Sequence, residues 1–217
     1  MTRNKEIIHA LKYSWLTKFY DPVIHWTMRE TTFRNQLIIA SKIKPKQKIL
    51  DVGCGTGSLL LRIKGFEKEA EVFGLDADLQ ILEYANDKFK NANLKVALDV
   101  GYSDKLPYHD NFFDKVFSSL LLHHLSTENK IRTLIEMFRV LKPGGELLIS
   151  DWDKPDNKIL RSAFLIVQLL DGFETTDDNV KGKIPVFIKK AGFDEIITIS
   201  KLSTVYGQLS VFKAVKI

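Results

Sequence analysis

The chain of 217 residues contains one cysteine, Cys54, which excludes an internal disulfide framework and any zinc site built on two or more thiolates. Long apolar runs are also missing. The longest strongly apolar stretch, Ala163 to Leu170, is eight residues and already includes Gln168, against the roughly 20 that a bilayer crossing needs, so no membrane span is expected. Met1-Thr-Arg-Asn-Lys-Glu has neither the apolar stretch nor the small-residue cleavage site of a secretory signal, and the protein reads as cytoplasmic. Repeats and low complexity are absent: 45% hydrophobic and 27% charged residues, with 12 Gly and 6 Pro, is an ordinary globular composition. The length suits one α/β domain.

What is present in excess is positive charge, a formal +5, a bias shared with nucleic-acid-binding proteins. The excess is local. Residues 1–50 hold ten Lys or Arg against three acids, a net of +7, and the remaining 167 residues net −2. The charge is therefore a property of one N-terminal segment rather than of the chain, and nucleic acid is not indicated. Two accounts of the segment stand: a solvated helical face, or a basic patch for an anionic small molecule or for peripheral contact with an acidic membrane surface.

Residues 6–20 place Ile8, Leu11, Trp15 and Phe19 at helical spacing, an amphipathic helix that needs something to pack on. Asp21-Pro22 ends it, and a second helical stretch runs from Val23 to Lys42. From Lys48 onward short apolar runs alternate with helical patterns: strands at 48–52, 71–76, 94–99, 113–120 and 146–152, helices at 57–65, 78–90 and 127–142. That alternation predicts a parallel sheet covered on both faces. Ser126 or Thr127 caps the helix at 127–142 and Lys142-Pro-Gly-Gly stops it. Residues 153–180 break the rhythm, with an apolar helix at 159–171 and a Thr- and Asp-rich stretch from Gly172 to Asp178, and are expected to form a lid-like insertion. A helix at 180–191, the turn Ala191-Gly192-Phe193 and two β-rich runs, Glu195–Leu202 and Val205–Val215, complete the chain; runs joined so closely pair antiparallel. The expected organisation is a single domain, with a helical cap at 1–46, a core at 47–152, the insertion at 153–180 and a C-terminal helix and hairpin at 181–217.

Ile49-Leu50-Asp51-Val52-Gly53-Cys54-Gly55-Thr56-Gly57 reads as a buried strand, a glycine turn and the start of a helix. Glycines let the chain turn tightly off the strand end and let backbone approach a ligand closely. A turn with no ligand would need one glycine or two, not three in alternation. The dinucleotide fingerprint is G-x-G-x-x-G or A, whereas Ser58 follows Gly57 here, so the loop instead resembles that of the class I S-adenosylmethionine-dependent methyltransferases. Val72-Phe73-Gly74-Leu75-Asp76 is a second strand ending in an acid, 23 residues after Gly53. Leu106-Pro107-Tyr108-His109-Asp110-Asn111-Phe112-Phe113-Asp114 and Leu141-Lys142-Pro143-Gly144-Gly145 are similar to that family's entries to its fourth and fifth strands. Leu120-Leu121-Leu122-His123-His124-Leu125 and Tyr20-Asp21-Pro22 narrow the resemblance to the branch of the ubiquinone and menaquinone C-methyltransferases.

The resemblance implies a Rossmann-like, seven-stranded, mostly parallel sheet with an antiparallel last strand, and S-adenosyl-L-methionine as cofactor. It implies that Asp51, Gly53, Cys54, Gly55, Thr56 and Gly57 hold the cofactor, that Asp76 with Ala77 takes the ribose, and that Ser119 and Tyr20 also bind the cofactor, Tyr20 with Arg29 reaching its methionine carboxylate from the N-terminal segment. One departure stands out. Where the family has Gly-Asp-Ala, this chain has Gly101-Tyr102-Ser103; Tyr102 is expected to lay its ring against the adenine with the Ser103 N–H toward a ring nitrogen, Asp99 being the alternative. His123, His124 and Asp151 follow the fourth and fifth strands and are the candidate catalytic residues; the alternative for the histidines is capping or packing at the start of the helix at 127–142, and for Asp151 a strand-end cap. His109 reads as surface. No metal is expected. The fourth strand lacks the Asn/Asp-Pro-Pro-Tyr signature of nucleobase N-methylation, and one cysteine removes arsenite methylation. The function expected is methyl transfer to a small-molecule acceptor, apolar or anionic. A non-catalytic S-adenosylmethionine-binding protein and a dinucleotide-dependent oxidoreductase are the alternatives.

Overall fold

A computed structural model of the chain describes residues 30–217. The helix expected at 6–20, Tyr20 and Arg29 lie outside the described residues, and of the second helical stretch the described part is α1, Glu30–Ser41. Phe33, Leu37 and Ile38 of α1 are buried.

Seven strands form one sheet in the order β3-β2-β1-β4-β5-β7-β6. The strands β1 (Lys48–Val52), β2 (Glu71–Asp76), β3 (Ala97–Val100), β4 (Phe113–Ser119) and β5 (Leu141–Trp152) pair parallel. β7 (Gly207–Val215) enters antiparallel between β5 and β6 (Asp194–Thr204). Parallel strands buried on both sides read as continuous apolar runs, and β1 shows why. Its Ile49 belongs to one hydrophobic layer with Phe117 and Leu148, while Leu50 belongs to the other with Val116 and Leu147, because successive side chains of a strand point to opposite faces.

The first layer is closed by α1, α2 (Ser58–Phe66), α3 (Leu79–Asn91) and α5 (Lys158–Asp171), which contribute Leu60, Ala85, Phe89 and Phe164. The second is closed by α4 (Thr127–Val140) and α7 (Ile184–Lys190), with Leu134, Met137, Phe187 and Ile188. Side-chain caps fix three of these starts: Asp78 accepts the Gln80 and Ile81 N–H groups, Ser126 that of Asn129 and Asn157 that of Leu160, meeting amides that a helix end leaves unpaired. The order of strands reverses between β1 and β4, so the carboxyl ends of these two strands flank the crevice where open α/β sheets bind ligands.

The Thr- and Asp-rich stretch 172–178 falls mostly in a short helix, α6 (Phe173–Val180), separated from α5 by Gly172. Two expectations are corrected. The helix expected at 180–191 begins only at Ile184, with Pro185 in its first turn. Strand β5 starts at Leu141, ahead of the expected Glu146, because Lys142-Pro-Gly-Gly is taken into the strand as a register shift opposite Phe113 and Lys115.

Candidate active site

The loop after β1 is a chain of left-handed residues. Gly53, Gly55 and Gly57 have φ of 74°, 51° and 72°, a region where side chains with a Cβ are strained. The three glycines are needed for different reasons. A Cβ at Gly57 would lie 2.4 Å from the Phe89 ring and one at Gly53 2.9 Å from Leu121, so these two permit close packing, whereas a Cβ at Gly55 would meet nothing within 4 Å. Gly55 is therefore the point at which the loop backbone borders open space. Its N–H donates to Asp76 Oδ2 at 2.8 Å, and Asp76 Oδ1 accepts from the Asp78 N–H at 3.1 Å. The ends of β1 and β2 are thus tied across the crevice, with the carboxylate beside the loop.

Asp51 is buried near the end of β1, and its Oδ1 has no hydrogen-bond partner among the described residues. Burial pushes its carboxyl up to about 7, against the opposing attraction of Arg34 and with added repulsion from Asp76. Burial also raises Asp76, in spite of the N–H groups it accepts. Two carboxyls that the protein itself leaves under-compensated call for donors or positive charge from elsewhere. A ribose diol and an ammonium group meet that need, so S-adenosylmethionine fits the donor set.

A second cluster lies where β4 and β5 end. Leu120 takes a positive φ of 57°, a strained conformation for a branched residue, and its N–H bonds the Ser150 carbonyl at 2.9 Å. The chain then enters a 3-10 turn, Leu122–His124. Asp151 is the hub: Oδ2 accepts the Leu122 N–H at 2.8 Å, and Oδ1 accepts the Trp152 N–H at 2.7 Å and meets His123 Nδ1 at 2.8 Å. Asn179 of α6 adds its Nδ2 to Asp151 Oδ1 at 3.2 Å and to the Trp152 carbonyl at 2.8 Å. Although burial opposes its charge, His123 and these donors hold the Asp151 carboxyl below the usual carboxylate range. Nδ1 of His123 faces the Asp151 carboxylate, and its Nε2 stands 3.6 Å from Asp171 Oδ2. The His124 ring lies 4.0 Å from that of His123, centroid to centroid, and burial with the neighbouring His123 pushes His124 down to about 3, so it is neutral.

Residues 49–145 match the family model described as a methyltransferase domain. The ubiquinone/menaquinone biosynthesis C-methyltransferase UbiE of Pectobacterium carotovorum is 30% identical over 164 residues, 73% of this chain and 62% of that protein. A putative methyltransferase of Bacillus halodurans shares the fold with a TM-score of 0.67 at 20% identity, over 85% of this chain and 99% of that one. Phosphoethanolamine N-methyltransferase 2 of Haemonchus contortus, solved with phosphomonomethylethanolamine and S-adenosylhomocysteine, does so with a TM-score of 0.68 at 18% identity, over 84% and 52%. Residues 49–145 are a class I methyltransferase domain. Its cofactor is S-adenosylmethionine. The chain spans about three fifths of the length of the curated relative.

Within the methyltransferase domain the expected cofactor residues do not all present the same groups. Cys54 contributes backbone only: its N–H donates to the Leu75 carbonyl at 3.0 Å, and its thiol packs into the first core layer against Gly74. Thr56 is buried with its hydroxyl 3.1 Å from that of Ser58. Ala77 follows Asp76 in the bend before α3, half-buried. Ser119 ends β4, half-buried, opposite Ser150. Tyr102 is exposed, and the Ser103 hydroxyl lies 2.8 Å from that of Thr133. Asp99, the alternative acid, accepts the Tyr108 hydroxyl at 2.8 Å. Trp152 is buried between His123 and Phe164, edge to face with both. Three residues outside the expected set enter: Arg34, whose charge acts on Asp51, and Asp171 and Asn179, which reach the histidine cluster from α5 and α6. Periodicity carries no signal for them, since each joins the site through the packing of a distant helix.

Proposed function

We propose that this protein transfers the methyl group of S-adenosylmethionine to a small-molecule acceptor that carries an ionisable hydroxyl, with Asp51, Gly55 and Asp76 holding the cofactor and the His123–Asp151 pair on the acceptor side. The observation that carries the reading is the buried Asp51 Oδ1, without a hydrogen-bond partner among the described residues, on the strand that leads into the glycine loop. The cofactor supplies an electrophilic methyl on a sulfonium whose departing sulfur is neutral. No acid is needed to help it leave, so the chain's part is to orient the two reactants in line and to exclude water. A hydroxylated acceptor becomes a better nucleophile as it gives up its proton, and in this reading the His123 ring, oriented by its contact with Asp151, is the group that takes that hydrogen bond. The quinone-pathway C-methyltransferase among the relatives favours an apolar aromatic acceptor.

The test is turnover with methyl-labelled S-adenosylmethionine and a panel of hydroxylated aromatic compounds. The proposal expects S-adenosylhomocysteine and a labelled product, both strongly reduced in His123→Ala. Tight cofactor binding with no methyl transfer to any acceptor would instead make the chain a binding protein on this fold.

A further inference from the structure

We propose that His123, His124 and Asp171 form a binding site for a divalent first-row transition-metal ion. Their ligand atoms, one from each residue, all lie within 4.8 Å of one another. They come from two separate elements, the 3-10 turn after β4 and the last residue of α5. His123 Nε2 stands 3.6 Å from Asp171 Oδ2, and His124 Nδ1 3.8 Å from Asp171 Oδ1. These separations are too long for hydrogen bonds. They are close to the roughly 3.3 Å that separates neighbouring ligand atoms around a tetrahedral ion with bonds of about 2.0 Å. The three side chains gather at one place without a hydrogen bond between Asp171 and either histidine.

The surroundings are those of a metal ligand as well. The other ring nitrogen of His123 bonds to a carboxylate, Asp151 Oδ1, at 2.8 Å, the arrangement that orients a ligating imidazole and fixes its tautomer. Asp151 is held in turn by the Leu122 and Trp152 N–H groups and by Asn179. Among the described residues neither Asp151 nor Asp171 forms an ion pair with lysine or arginine. His123 is buried, but the side chains of His124 and Asp171 keep 28% and 25% exposure, so the cluster can be reached from solvent. Two imidazoles and one carboxylate suit Zn2+, Co2+, Ni2+ or Fe2+ rather than Mg2+ or Ca2+.

This inference rests on the methyl-transfer reading only for its consequence. An ion at this point would take the acceptor's oxygen and stabilise the deprotonated form, so that His123 acts through the ion. Binding itself is independent of that reading and is tested apart from it. Chelator-treated full-length protein is titrated with Zn2+ by calorimetry and with Co2+ by visible absorption, alongside a titration with S-adenosylhomocysteine. The proposal expects one ion per chain, a Co2+ spectrum of four or five coordination with imidazole ligands, and a loss of affinity of about tenfold or more in Asp171→Asn and in His124→Gln, both of which still bind S-adenosylhomocysteine. No stoichiometric ion in protein that binds S-adenosylhomocysteine overturns the metal site alone, and so does equal metal affinity in both variants and wild type. Loss of S-adenosylhomocysteine binding by wild type counts against the methyl-transfer reading instead.

Discussion

The Gly55 N–H and the Asp76 carboxylate meet at 2.8 Å across the ends of β1 and β2. One residue borders open space and the other brings a charge that burial makes costly. A ligand that replaces the missing compensation with hydroxyl donors is stabilised by both.

Asp76→Ala removes the ribose acceptor. The expected loss is about 1.5–3 kcal/mol of cofactor binding, the scale of charge-assisted hydrogen bonds, or roughly 10- to 150-fold in Kd. Calorimetry with S-adenosylhomocysteine measures it directly, and an unchanged Kd removes Asp76 from the site.

Asp51 titrates near 7 in the folded chain, above its ordinary 3.8. A raised carboxyl holds its proton longer folded than unfolded, so its contribution to stability falls as pH rises from about 4 to 7 and is level above. Binding of a cationic cofactor favours the ionised form. Affinity for S-adenosylmethionine should therefore rise between pH 5.5 and 7.5, by up to about tenfold per unit, with a proton released on binding. Asp51→Asn should flatten both profiles; persistence of the slope in that variant would assign it to another group.

Gly55→Ala and Gly57→Ala separate ligand space from packing. Both new residues adopt a left-handed backbone, costing about 1–2 kcal/mol. Only at Gly57 does a Cβ meet a ring, at 2.4 Å, and overpacking adds about 1–3 kcal/mol more. Thermal unfolding should fall roughly 5–15 °C in Gly57→Ala and much less in Gly55→Ala, whereas cofactor affinity should drop in Gly55→Ala, whose methyl enters the open space.

Lys130 is fully buried and ties α4 to α6, donating to the Thr175 carbonyl and lying 3.4 Å from Asp178 Oδ2. Asp178→Ala strands this ammonium and should cost about 3–5 kcal/mol, whereas Lys130→Met removes the buried charge itself and should cost less. Chemical denaturation distinguishes the two, and equal losses would contradict the pairing.

Much of the cofactor side was legible in the residues. β1 and β2 occupy the expected 48–52 and 71–76, because strands buried on both faces are short apolar runs with sharp ends. The three glycines and Asp76 follow from those ends by simple spacing. The acceptor side was less so. Thr175, Thr176, Asp177 and Asp178 have low helix propensity, yet they are helical in α6, where Asp178 and Asn179 are buried against neighbouring elements; tertiary packing overrides propensity there. Asp171 lies some 47 residues from the histidines it faces, and only the return of α5 along the sheet brings it to them. Leu120 adopts a conformation that no local pattern signals.

The most direct test of the account is a calorimetric titration of wild-type protein with S-adenosylmethionine and with S-adenosylhomocysteine, repeated in buffers of different ionisation enthalpy. The account predicts one site per chain for each and, for S-adenosylmethionine, proton release near pH 7 that is absent from Asp51→Asn. Absence of binding by either compound at concentrations of hundreds of micromolar would contradict it.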